Sequence, residues 1–167
     1  AYLRIKDTFG DGAEEMYGFA KTAIDTMGMS ETAYMKIASR YGAFIKTFIK
    51  DTKSLADTTN ALVQLTADAS AQMGISIDDA FIKLQSGLKG NVNAIEELGI
   101  PTKLKDLDMW LESGAAGAQF MSKSFSELNT SVQNSLLAFY MLDKAGINGT
   151  IGYAAKMMNT FSGQLRI

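Results

Sequence analysis

The chain has 167 residues, 47% of them apolar and 20% charged, with a formal net charge of −2. That is room for a core of its own and the balance of a globular protein, while the scattered Lys and Arg lack the clustering that binding to duplex nucleic acid requires. With no cysteine and no histidine, disulfides, the common zinc sites and every His-dependent triad are excluded, leaving Asp, Glu, Lys, Tyr and Ser for any chemistry.

A single proline, glycines grouped at boundaries and no sustained strand alternation predict an all-α chain. The first helix runs from Tyr2 to Phe9 and ends at Gly10-Asp11-Gly12. A second spans Ala13 to Met27, turning Met16, Phe19, Ala20 and either Ala23 or Ile24 inward, and Gly28 stops it. Ser30 caps a third, whose inward positions are Tyr34, Ile37, Ala38, Tyr41, Phe44 or Ile45, and Phe48. A fourth begins at Ser54, aligns Leu55, Thr59, Leu62, Val63, Thr66, Ala69 and Met73, and ends at Gly74.

Residues 76–100, SIDDAFIKLQSGLKGNVNAIEELGI, form the best-punctuated stretch. Ser76 and Asp79 make a short-armed capping box, and Ile77, Ala80, Phe81, Leu84 and Leu88 follow as one apolar stripe. Gly87 and Gly90 bracket the end of that helix. Asn91 restarts the chain with Val92, Ile95 and Leu98 inward, Gly99 is a left-handed cap, and Pro101 prevents continuation. Next come a short helix carrying Leu104, Leu107 and Trp110 or Leu111, then a break at Gly114-Ala-Ala-Gly117. A second capping box, Ser124-Phe-Ser-Glu127, is read as opening a long helix to Ala145. A glycine interruption at Gly146, Gly149 and Gly152 precedes a last helix with Ile151, Ala154, Ala155, Met158, Phe161 and Leu165.

Short connections predict roughly seven or eight helices packed antiparallel in a compact bundle without a sheet, as one helical domain over residues 1–167. The chain opens at Ala1 without a start Met or signal peptide, and its last stripe meets no stop signal. A fragment of a longer chain continuing past Ile167 is therefore expected. The longest apolar run, residues 136–142 (LLAFYML), is far short of the ~20 residues of a membrane span.

No catalytic, cofactor or metal site stands out. Asp78 and Asp79, Glu96 and Glu97, and Glu14 and Glu15 are adjacent pairs. Helix neighbours point about 100° apart and cannot share a substrate, so they read as helix-start or solvent-facing charge. Gly87-Leu-Lys-Gly90 lacks the strand and the Lys-Ser/Thr of a phosphate loop. Gly146-Ile-Asn-Gly149-Thr-Ile-Gly152 lacks the parallel sheet of a dinucleotide fold. The ten methionines read as core filler before they read as an adaptable surface. Met109 and Trp110 are the candidates for partner contact, because aromatic side chains are enriched at interface hot spots.

Residues 62–100 resemble the N-terminal region of phage tail tape measure proteins. The match rests on Ile75, Ser76, Asp79, Ala80, Lys83, Leu84, Ser86, Gly87, Leu88, Gly90, Ile95, Leu98, Gly99 and Ile100. A weaker likeness covers Met158-Asn159-Thr160-Phe161-Ser162-Gly163-Gln164-Leu165-Arg166, where Gly163 departs from the usual Asn; Asn91 also stands where an acidic residue is common. The resemblance implies a structural virion protein and not an enzyme. Such a chain sets tail length, templates polymerisation of the tail tube and leaves ahead of the DNA. The implied partners are the tail tube protein, tail assembly chaperones and tail-tip proteins, with self-association open and no sequence-specific nucleic acid contact. Its implied location is the tube lumen or tip of the tail, and the host cytoplasm during assembly. The alternative is a cell-wall-lytic or membrane-interacting helical domain at the tail tip, for which Glu112 and Glu127 are the carboxylates to test and membrane contact by a parent chain stays open.

Overall fold

The structure is a computed structural model describing residues 2–147 together with positions 154, 155 and 158. Among the described residues it is all-α, with no strand. Its helices are α1 (Tyr2–Phe9), α2 (Ala13–Met27), α3 (Glu31–Ile45), α4 (Thr52–Met73), α5 (Ile77–Leu88), α6 (Val92–Glu96), α7 (Leu104–Glu112) and α8 (Thr130–Ala145). Single 3-10 turns lie at Gly10–Gly12, Ala118–Phe120 and Phe125–Glu127. The chain, expected as one domain over 1–167, divides by its contacts into two compact units, residues 1–81 and 82–167, with the boundary inside α5.

In the first unit α3 packs against α1, α2 and α4. Gly28 takes the left-handed conformation at φ 67°, and its amide returns to the Ala23 carbonyl, ending α2. Ser30 caps α3, its Oγ accepting from the Ala33 amide at 3.1 Å. The stripe of α3 is buried at Tyr34, Ile37, Ala38, Tyr41 and Ile45. Of the paired options, Ala23 is buried while Ile24 is exposed, and Ile45 is buried more deeply than Phe44.

Two boundaries differ from the sequence reading. The fourth helix starts at Thr52, because Asp51 is the cap: its Oδ2 accepts from the Ser54 amide at 2.9 Å. Ser54 is the donor in that bond. Met73, expected inward, is 47% exposed in the last turn.

In the second unit the long helix expected from Ser124 begins at Thr130. Ser124 makes no side-chain cap bond, residues 125–127 form a 3-10 turn, and Leu128 is extended at ψ 149°. The cap is Asn129, whose Oδ1 accepts from the Val132 amide at 3.0 Å. The Phe125 amide instead donates to Asp108 Oδ1 at 2.8 Å, tying the turn to α7. From there α8 is buried on nearly every side, with Leu136, Phe139, Tyr140 and Met141 at 1% exposure or less. Gly146 closes it at φ 64°. The readings at Gly149, Gly152, Ile151, Phe161, Leu165 and residues 159–167 lie outside the described residues; Ala154 and Met158 are buried helical positions.

Candidate functional site

The motif residues fall in both units. In the first, Ser76 Oγ accepts from the Asp79 amide at 3.0 Å, starting α5, and Ala80 is fully buried. Phe81 meets the Tyr41 ring edge-on at 5.0 Å between centroids, with the Arg40 guanidinium 5.6 Å from its face. Ile77 is only half-buried.

In the second unit the motif builds a turn between two short helices. Leu84, Leu88, Ile95 and Leu98 are buried and Ile100 nearly so. Gly87 lies inside α5 and does not bracket it: a Cβ there would sit 2.2 Å from Ile95 Cγ1, so the absent side chain is what lets α6 approach. The break belongs to Gly90, at φ 109°. Ser86 closes the turn twice, its carbonyl accepting from the Asn91 amide at 3.1 Å and its Oγ from Asn91 Nδ2 at 3.1 Å. Gly99, at φ 87°, closes the turn that follows α6, and its amide donates to the Glu96 carbonyl at 2.9 Å. Thr102 Oγ1 donates to the Val92 carbonyl at 2.9 Å, and Lys83 pairs with Glu97 across the surface. An exposed pair of that kind contributes about 0–1 kcal/mol. Each motif residue therefore makes a cap, a turn, a packing contact or a surface pair. With Ile95 filling the space beside Gly87, no phosphate cradle exists at Gly87-Leu-Lys-Gly90.

The two partner-contact candidates separate. Met109 is 67% exposed, whereas Trp110 is 3% exposed. The Trp110 indole N–H donates to Asp143 Oδ2 at 2.8 Å, and its ring stands edge-on to Tyr140 at 5.2 Å. Tyr140 in turn donates its hydroxyl to the Pro101 carbonyl. Trp110 is a core residue joining α7 to α8.

Glu112 and Glu127 are both exposed. The described residues contain no group of three Asp or Glu able to hold a metal ion, and no helix long and apolar enough to cross a membrane. One titratable cluster was invisible in the sequence because its members are far apart. Lys53 Nζ on α4 lies 3.3 Å from Glu15 Oε1 on α2 and 3.3 Å from Asp57 Oδ2. A hydrogen bond with Asp57 and then partial burial raise the Glu15 pKa, with Lys53 opposing them. Burial raises the pKa values of Tyr34 and Tyr41, and that of Tyr140 to about 12 with help from Asp106, Asp143 and Glu96. All three hydroxyls stay protonated at neutral pH.

Comparison with protein-family models, curated proteins and solved structures finds no match to this chain.

Proposed function

We propose that this chain is part of a phage or prophage-derived tail tape measure protein, a structural component that sets tail length and templates the tube. The observation that carries the reading is the ordered motif of residues 76–100. Its capping serine, its Ser86-Gly87-Leu88 step, Gly90, and the Leu98-Gly99-Ile100 end occur at the spacing of that family, and here they serve folding and not catalysis. An all-α chain suits a ruler, because each helical residue adds a fixed ~1.5 Å of length. On this reading the partners are the tail tube protein, the assembly chaperones and the tail-tip proteins. The folded units either rearrange when the tube forms around the chain or stay at one end of it.

The test is genetic and structural. Deleting the reading frame that encodes this chain from its phage or prophage, and imaging particles by negative-stain electron microscopy, should leave heads without tails or tubes of uncontrolled length. Complementation should restore a single tail length. Tails of unchanged, uniform length after deletion would exclude the role.

A further inference from the structure

Between α7 and α8, residues 114–121 make a loop that closes on itself. Gly114 turns the chain at φ 84° and Gly117 at φ 106°. The bonds that shape the loop are short-range: the Gly117 amide donates to the Gly114 carbonyl at 2.9 Å, and the Phe120 and Met121 amides donate to Gly117 and Ala118, each at 3.2 Å. Two side chains lie back over the two glycines. A Cβ built on Gly114 would stand 3.5 Å from Met121 Sδ, and one built on Gly117 would stand 2.5 Å from Gln119 Oε1. Ala116 and Phe120 are buried, whereas Met121 is 47% exposed. The Met121 thioether is therefore an apolar contact that brings the end of the loop onto its beginning, on a side chain open to solvent.

The closed loop also carries a cost. Gln119 Nε2 is buried with no hydrogen-bond partner, and hydration on opening would recover what that group loses. An apolar contact holds the loop against this cost, so a change that makes the contact polar favours the open form. Conversion of a thioether to a sulfoxide is such a change, because it places a polar oxygen on a side chain that was apolar.

We propose that Met121 is an oxidation site acting as a redox-sensitive clasp, and that hydrogen peroxide opens residues 114–121 by converting its thioether to the sulfoxide. In that step one peroxide oxygen bonds to Sδ as the O–O bond breaks, the sulfur gives up two electrons, and the other oxygen leaves as water. Opening is confined to the loop, because α7 and α8 on either side have their own buried residues, Leu107 and Leu111 in one and Leu136 and Phe139 in the other. The inference rests on the loop geometry alone and would stand if the tail role failed.

The test treats the 167-residue chain with hydrogen peroxide, locates the added oxygen by peptide mass spectrometry and reads protection by hydrogen exchange. Met121 should be oxidised alongside the exposed Met73 and Met109 and ahead of the buried Met16 and Met141. The expected result is loss of protection in peptides covering 114–121, with α7 and α8 unchanged. Met121→Leu keeps an apolar cover that peroxide does not oxidise, and it should hold its protection at the same dose while Met73 and Met109 still take up oxygen. Met121→Gln puts a polar group in the same place and should lose protection over 114–121 without peroxide, which keeps the test decisive if the Leu variant fails to fold. Methionine sulfoxide reductases should restore protection to the oxidised wild type. The proposal is overturned if Met121 sulfoxide forms and 114–121 stays protected, if Met121→Gln is as protected as wild type, or if Met121→Leu loses protection on oxidation as wild type does. Resistance of Met121 to a dose that oxidises Met73 and Met109, or loss of protection spread equally through α7 and α8, would overturn it as well.

Discussion

Glycine does three different things in this chain, and only packing tells them apart. Gly28 and Gly74 end helices in the left-handed region. Gly87 is a contact, with Ile95 in the space a side chain would take. Gly18 lies exposed within α2 with nothing within 4 Å of an added Cβ. Gly18→Ala should stabilise the first unit by up to about 1 kcal/mol, the helix-propensity difference, seen as a higher urea midpoint. Gly87→Ala should act oppositely and destabilise by roughly 1–2 kcal/mol through overpacking, and the double variant with Ile95→Ala should lose less stability than the two single replacements summed. Charge at Glu15 gives a third residue-level expectation. Its folded pKa is raised, so its contribution is fully present below the unfolded value of about 4.5 and is lost as pH rises through the folded value. Glu15→Gln should therefore raise the urea midpoint at pH 7 and change little at pH 4.

At the scale of elements, caps decide where helices begin. Asn129→Ala should destabilise α8 by about 1 kcal/mol and speed exchange of the Val132 amide, whereas Ser124→Ala should leave both unchanged. The sequence offered Ser124 and Glu127 at capping-box spacing, yet the winning cap stands five residues on. The chain at Phe125 is held by the Asp108 carboxylate from α7, a long-range partner that no local pattern contains. At the start of α4 two local candidates stand three residues apart, and the cap is Asp51, with Ser54 as the donor to it. Where local signals agreed with packing, at Ser30, Ser76, Gly74 and Gly99, the boundaries were legible. The stripes of α3 and α5 were legible too, because a 3.6-residue period maps directly onto a buried face. Trp110 was not. Its burial depends on Tyr140 and Asp143, thirty and thirty-three residues away, and a short amphipathic helix does not by itself say which of two adjacent large side chains points inward; here both do.

For the whole molecule, the division into two compact units predicts that heat absorption will not follow a single two-state transition. The calorimetric enthalpy of unfolding should exceed the van't Hoff enthalpy taken from the shape of the curve, and equality of the two would mean one cooperative transition. The carboxylate cluster of Glu15, Asp57 and Lys53 and the Trp110–Tyr140 contact lie in different units, so substitutions in each should add in their effects within a few tenths of a kcal/mol. The close fit of Ile95 into the space at Gly87 also bears on descent. A lineage that acquires a side chain at position 87 should lose bulk at position 95, and the two sites should drift as a linked pair while the exposed positions around them vary independently. That linked pair would mark distant members of the lineage after composition and overall identity had ceased to do so.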